Sequence, residues 1–340
     1  MLRNIRDVAG RRPARTALKM RARIATAFVA AVVISTLSQR PAAAYVRGVS
    51  EQGYPLYWKG SCAAVTIYLN GFSMMTSDEV AKAIAAAAHA WSPAEVTCPG
   101  PSGDGGNSHP YFEIVPSMSA GGPVPGVGPD GKNSIIFYTE TWPEDPEFIA
   151  LTQHFSRPNG EIVDTDIEIN AVDFTWANLD PGSTALAHTP DAIDLQTAIT
   201  HEFGHFIGLG HTCFHAGVDL SIPNDDQDQP IPTCPDPPST PADVPQAQSV
   251  MWFFVEPGFT GIPKRVLAPD DVRGICDIYP AARDPHVCTL NLPDDGCGCA
   301  TGGTHGPRGA ALAFLAIGLA VAYARRRRRL RSGRDRRAAL

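Results

Sequence analysis

The chain has 340 residues, of which 44% are hydrophobic, so it is long enough for one or two globular domains with an ordinary core. Its net charge of −7 is unevenly spread, because residues 1–44 carry +8, residues 308–340 carry +9 and residues 45–307 carry −24. A central region this acidic repels nucleic acid and anionic membranes at long range and tolerates bound cations, which argues against a nucleic-acid partner.

The N-terminus has the three parts of an export signal. A basic stretch precedes an apolar run at 24–37, and the small residues Ala42–Ala44 provide a cleavage site. We therefore predict a signal peptide over 1–44 and an exported protein. The alternative is an N-terminal membrane anchor, for which the apolar run is short.

Export changes the interpretation of the cysteines. Of the eight, the first six are expected to form disulfides rather than a thiolate metal site. The sequence allows about 15 pairings of six cysteines. Pairing between sequence neighbours is our preference: Cys62–Cys98, Cys213–Cys234 and Cys276–Cys288.

Helix and strand patterns alternate along the central region. Residues 76–91 predict a helix, because Thr76 and Glu79 form a capping box and an apolar stripe follows at helical spacing. Alternating or continuous apolar runs predict strands at 62–70, 111–115, 134–138, 149–155 and 161–169.

The last of these strands, EIVDTDIEI, has two different faces. Val163, Thr165, Ile167 and Ile169 are predicted to face the core, and the other face carries three acids, Asp164, Asp166 and Glu168. A solvated strand face is the favoured interpretation of these acids. A calcium site is the alternative.

A helix capped by Thr189 or Asp191 is predicted to lead into residues 201–211. A long polar loop over 212–249 follows, which Cys213 and Cys234 are expected to clamp. The pattern at 267–280 predicts a last short helix, and residues 281–296 are predicted to be a linker. This order of elements indicates a layered domain of α/β or α+β class rather than a helical bundle.

The C-terminal tail, 297–340, contains a Cys-Gly-Cys motif, an apolar run at 309–324 and five arginines at 325–329. The arrangement resembles the sorting tails of myxobacterial surface proteins. That resemblance implies attachment to the membrane or cell surface through Cys297 or Cys299 and a processing peptidase that removes the hydrophobic helix. A single-span transmembrane helix is the alternative.

Residues 201–211 read HEFGHFIGLGH. On a helix, His201 and His205 lie one turn apart on the same face, where two imidazoles can bind one metal ion. Gly208 can end the helix with a sharp turn that brings His211 round as a third ligand. Three protein ligands leave a coordination position to water, which is typical of catalytic zinc.

Glu202 is the predicted catalytic residue. It follows a ligand directly, so it is badly placed to bind the same ion but well placed to take a proton from a water there. The expected chemistry is hydrolysis of a peptide bond, with Glu202 as general base and then general acid.

This stretch matches the pattern of the metzincin zinc peptidases, and the chain resembles their matrixin branch over 54–280. Met251, in SVM, is similar to the methionine turn of that family, and 267–280 resembles its closing helix. The resemblance implies an α+β domain with a twisted, mostly parallel five-stranded sheet and three helices. It implies that peptide substrate binds along 149–155, including Ala150 and Leu151, and that a pocket wall begins at Trp252.

The chain departs from the matrixin pattern at the structural zinc site, which is not recognisable around 149–170. His154 is therefore interpreted as an ordinary residue. Two other functions remain open at this point, a surface-displayed zinc-containing binding or adhesion module without hydrolysis, and a zinc amidase that acts on cell-wall peptides.

Overall fold

The protein is α+β, with three α-helices and a mixed sheet in the part of the chain that the structure describes. Five strands of this sheet lie within residues 62–170, and a sixth, short strand at 317–320 is added at one edge. The structure is a computed structural model and describes residues 45–99, 108–180, 191–215, 222–235, 244–258, 264–288 and 317–320. The predicted signal peptide, 1–44, and most of the predicted tail lie outside the described residues.

In chain order the strands are β1 (Val46–Arg47), β2 (Cys62–Tyr68), β3 (Glu113–Met118), β4 (Ser134–Tyr138), β5 (Phe148–Ser156), β6 (Ile162–Asn170), β7 (Trp176–Ala177), β8 (Ile193–Asp194), β9 (Leu209–Gly210) and β10 (Ile317–Ala320). The helices are α1 (Ser77–Ala90), α2 (Leu195–Phe206) and α3 (Pro269–Ile278), with short 3₁₀ turns at Pro245–Gln248 and Ala281–Arg283.

The main sheet has the order β10-β5-β6-β4-β2-β3. Strand β2 pairs in parallel with β3 and β4, β4 pairs in parallel with β6, and β5 runs antiparallel to β6. All five predicted sheet strands are confirmed, with bounds that shift by a few residues at most.

Helix α1 begins as its sequence predicts. The Thr76 hydroxyl accepts from the Glu79 backbone N–H at 3.2 Å, and the Glu79 carboxylate accepts from the Thr76 N–H at 2.8 Å. Its apolar stripe packs with α2 against the sheet, and Ile84 of α1, Phe203 of α2 and Ile135 of β4 are completely buried. Burial of each such side chain contributes about 1.5–3 kcal/mol.

Helix α2 begins later than predicted. Its N-cap is Asp194, whose carboxylate accepts from the Thr197 N–H at 3.0 Å, so the caps at Thr189 and Asp191 were wrong. The capping carboxylate also pairs with the Arg265 guanidinium at 2.5 Å, which compensates its complete burial.

Two of the three predicted disulfides are wrong. The bonds are Cys62–Cys288, Cys98–Cys276 and Cys213–Cys234, and only the last joins sequence neighbours. The reason is topological, because α3 ends against the segment before β3, where the Tyr111 N–H donates to the Tyr279 carbonyl at 2.9 Å.

The chain after α3 also returns to β2. The Ser61 N–H donates to the Val287 carbonyl at 2.7 Å, and the Ser61 hydroxyl donates to the Asp284 carboxylate at 2.6 Å. Residues 281–288, the first part of the predicted linker, are therefore tied to the start of the sheet by hydrogen bonds and a disulfide.

Within the apolar run at 309–324, only Ile317–Ala320 is described, as strand β10, which pairs antiparallel with β5 between Phe148 and Thr152. Among the described residues, none of the helices has the length and apolar character needed to cross a bilayer.

Candidate metal centre

Helix α2 and the turn after it bring three histidines together. Gly208 ends this segment with φ of +98°, and a Cβ there would lie 2.5 Å from the Leu56 carbonyl oxygen. Both features require glycine. The turn leads into β9, and β9 delivers His211 back to His201 and His205, as the sequence predicts.

The three imidazoles meet through their Nε2 atoms. The distances are 3.0 Å between His201 and His205 and 3.2 Å from each of these to His211. Zn–N bonds of about 2.0–2.1 Å at tetrahedral angles separate neighbouring nitrogens by roughly 3.3 Å, so the spacing fits such an ion.

Second contacts fix which ring nitrogen faces the centre. His201 Nδ1 lies 2.6 Å from the Val250 carbonyl oxygen, and His205 Nδ1 lies 2.9 Å from that of Leu209. Because a carbonyl only accepts, both Nδ1 atoms carry the hydrogen and both Nε2 atoms present lone pairs. Lone pairs that face one another are repulsive unless a cation lies between them.

Burial keeps these rings neutral. All three are at most 3% exposed, and desolvation lowers the pKa of His201 to about 3 and the pKa values of His205 and His211 well below their usual range. Neutral imidazole is the form that binds a metal, so the triad could hold an ion such as zinc.

Glu202 lies between the two helical histidines in sequence and is completely buried. Its Oε2 accepts from the Thr152 hydroxyl at 2.5 Å, and its Oε1 has no hydrogen-bond partner among the described residues. Burial raises the pKa of Glu202 to about 8, although the Thr152 hydrogen bond acts in the opposite direction.

The C-terminal turn of α2 is held by three side chains that the sequence did not reveal. His154 Nε2 lies 2.7 Å from the His205 carbonyl oxygen, Trp58 Nε1 donates to the Phe206 carbonyl at 2.8 Å, and the Tyr279 hydroxyl donates to the Ile207 carbonyl at 2.9 Å. The last carbonyls of a helix lack helical partners, so these donors fix the turn that leads to His211. His154, interpreted as ordinary, is one of them.

The predicted methionine turn lies against α2. Met251 is 1% exposed, and its carbonyl accepts from the Thr212 N–H at 3.1 Å, directly after His211. The buried Asp271 of α3 fixes this turn, because its carboxylate accepts from the Ser249 hydroxyl at 2.5 Å and from the Val250 N–H at 3.0 Å. Val250 is the residue whose carbonyl orients His201, so α3 is connected to a triad member.

The predicted substrate residues have buried side chains. Ala150 and Leu151 are in β5 and are 0% and 1% exposed. The backbone of β5 pairs with β6 on one side and, between Phe148 and Thr152, with β10 on the other. Trp252 is 2% exposed and packs with Cys213, Phe253 and Phe254. It lies inside a small apolar cluster.

The acids of β6 are not solvated, which corrects the favoured interpretation. Asp164, Asp166 and Glu168 are at most 1% exposed, because residues 128–134 cover this face, and it is Val163 that is exposed. Asp166 accepts from the Gly128 N–H at 3.0 Å and the Ser134 hydroxyl at 2.5 Å. Asp164 accepts from the Gly131 N–H at 2.7 Å, and none of the described residues hydrogen-bonds its Oδ1.

The sequence matches no known protein-family model, and it matches none of the curated proteins. The functional assignment therefore depends on the geometry of the site itself.

Proposed function

We propose that this protein is an exported zinc endopeptidase similar to the matrixin branch of the metzincins. The observation that carries the proposal is the convergence of three neutral Nε2 atoms, 3.0–3.2 Å apart, together with the buried carboxylate of Glu202, directly after His201 in the sequence, one oxygen of which lacks a partner among the described residues. That arrangement would supply three metal ligands, an open coordination position and a proton acceptor together.

A zinc ion held by His201, His205 and His211 would activate a water and polarise the scissile carbonyl. Glu202 accepts the proton of the attacking water at Oε1 and then gives it to the nitrogen of the leaving amine. The buried rings around the triad, among them Phe253 edge-on to His211 at 4.9 Å between centroids, exclude bulk water from this transfer.

Three disulfides support export, because such bonds persist in oxidising compartments. We propose removal of the 1–44 signal peptide, and attachment to the cell surface or release after processing of the tail. The substrate is a protein or peptide bound in extended form.

We also propose calcium as a second ion, at Asp164 and Asp166. Neither carboxylate has an ion pair among the described residues, and Asp164 Oδ1 is buried without a partner. Buried carboxylates are ordinarily compensated by a charge. Calcium binding by the metal-free chain, lost in Asp164→Asn and Asp166→Asn, tests this.

The test of the peptidase is cleavage of casein and a peptide library by the full chain, with zinc and after chelation. Glu202→Gln should retain zinc and lose at least about a thousandfold in rate, since it removes the proposed proton acceptor. Glu147→Gln, at an exposed acid directly before β5, is the control, and its cleavage rate should match that of the wild type. Bound zinc without cleavage would instead favour the non-hydrolytic binding module, and cleavage confined to cell-wall peptides would favour the amidase.

A further inference from the structure

Strand β5 contacts helix α2, which carries His201 and His205, through two polar side chains on one face of the strand. Thr152 and His154 are two residues apart, so both point toward α2. The Thr152 hydroxyl donates to Glu202 Oε2 at 2.5 Å, and His154 Nε2 lies 2.7 Å from the His205 carbonyl oxygen. Strand β5, which the sequence predicts to bind substrate, is thus hydrogen-bonded to α2 at Glu202 and at His205.

The two oxygens of Glu202 have different surroundings. Oε2 accepts a hydrogen bond from Thr152, whereas Oε1 is buried and has no partner in the part of the chain that the structure describes. A completely buried carboxylate oxygen without a hydrogen bond destabilises the folded state, unless a water or ion fills the hydrogen-bonding position. A water shared with an ion at the triad is the occupant that this arrangement suits.

Threonine is well suited to hold a carboxylate in one orientation. Its β-branch restricts χ1, so the hydroxyl is a rigid donor, and hydrogen bonds to an ionised acceptor are stronger than neutral ones. A glutamate without this contact would rotate about its terminal torsion, which has a broad energy profile. Loss of the hydroxyl should therefore misplace Oε1.

We propose that Thr152 is a positioning residue that holds Glu202 Oε2, so that Oε1 faces the water at the metal centre. This inference rests on the proposed peptidase function. Thr152 itself touches neither substrate nor metal in this assignment and acts only through Glu202.

The first test compares Thr152→Val, which keeps the shape and removes the hydroxyl, with Thr152→Ser, which keeps the hydroxyl. Thr152→Val should lower kcat on the order of 10- to 100-fold with KM changed less than about twofold, because ground-state binding is untouched. Thr152→Ser should recover most of the loss, and zinc content should be that of the wild type in both.

Thr165→Val is the matched control. Thr165 is equally buried and lies on the neighbouring strand β6 opposite His154, and its hydroxyl donates to the Asp164 carbonyl at 2.9 Å rather than to Glu202. This variant should keep kcat within about twofold of the wild type, since it leaves Glu202 in place.

The second readout does not depend on activity. In the metal-free full chain, urea unfolding of Thr152→Val, Glu202→Ala and the double variant should show coupling of at least about threefold in the unfolding constant. The cycle of Thr165→Val with Glu202→Ala should be additive. The dependence of the unfolding free energy on urea concentration should be the same in all variants, because a different slope would indicate a changed unfolded state.

Three results would overturn the proposal: an additive Thr152–Glu202 cycle, a kcat for Thr152→Val close to that of the wild type, or equal losses in Thr152→Ser and Thr152→Val. Failure of the proposed function gives a different result. In that case the wild type binds zinc and cleaves no peptide, while the double-mutant cycle still decides whether Thr152 holds Glu202.

Discussion

The sulfur of Met251 fills the space into which a side chain at position 204 would project. A Cβ on Gly204 would overlap that sulfur and would also lie 3.0 Å from the Trp91 ring. Gly204 is inside α2, between His201 and His205. The turn at Met251 and helix α2 are therefore in direct contact beside His201 and His205.

Gly204→Ala should weaken both the fold and the metal centre. Alanine gains about 1 kcal/mol of helix propensity, but overpacking at a closed contact costs about 1–3 kcal/mol and must displace Met251 or α2. We expect a lower urea midpoint and weaker zinc binding, measured by competition with a chromophoric chelator. Gly126→Ala, where a Cβ meets nothing within 4 Å, is the control, and an equal effect of both variants would contradict the packing explanation.

Local sequence signals predicted the parts of the site that are close in the chain. The capping box of Thr76, the period-two strands and the turn at Gly208 each depend on residues within a few positions of one another. The ligand spacing of His201, His205 and His211 follows from helix geometry and that turn. Gly204, a glycine in the middle of a helix, is a further sequence signal of close packing.

Contacts between distant segments could not be predicted in this way. Asp271 fixes the methionine turn across 21 or more positions, and Tyr279 reaches the end of α2 across 72. The sequence predicts a solvated face for the acids of β6. The alternation of apolar and acidic residues shows which side chains share a face of the strand, but it does not show that residues 128–134 cover the acidic face. Such facts depend on the packing of the whole domain.

Asp271→Asn should loosen the methionine turn. The amide oxygen can replace Oδ2, which accepts from the N–H groups of Val250 and Ala268 at 2.7–3.0 Å. The amide NH2 then replaces Oδ1 and cannot accept from the Ser249 hydroxyl. We expect destabilisation of about 1–3 kcal/mol and about 10- to 100-fold weaker zinc binding, since Val250 orients His201. Both are measured by urea unfolding and zinc competition. Asp270→Asn, on the same helix and paired with Arg273, should leave zinc affinity unchanged, and parallel losses in the two variants would contradict the assignment.

The two long-range disulfides should account for a large share of the stability. Cys98–Cys276 closes a separation of 178 residues and Cys213–Cys234 one of 21. In the chain-entropy model these are worth about 5 and about 3 kcal/mol respectively. Unfolding of the paired Cys→Ser variants should rank in that order, and peptide mapping without reduction should recover Cys62 with Cys288. Recovery of a Cys62–Cys98 peptide would rule out the observed topology.

The buried acids of β6 should give the protein a distinctive dependence of stability on pH. Burial raises the pKa of Asp164 to about 6 and that of Asp166 to about 7, whereas in the unfolded chain both return to about 4. A raised folded-state pKa favours the protonated native form. Its contribution is therefore complete below about pH 4 and is lost as the pH rises toward 7.

Other buried groups, including His154 with its pKa lowered to about 4, change stability in the opposite direction as pH rises, so the informative quantity is a difference. In the presence of EDTA, the unfolding free energy of Asp166→Asn minus that of the wild type should rise between about pH 4 and pH 7, by a few kcal/mol at most, because the variant has no charge to desolvate. Asp78→Asn, an exposed acid in the first turn of α1, is the control for the loss of one carboxylate at the surface. A flat difference for Asp166→Asn would mean that its carboxylate is compensated in the folded chain without a bound cation.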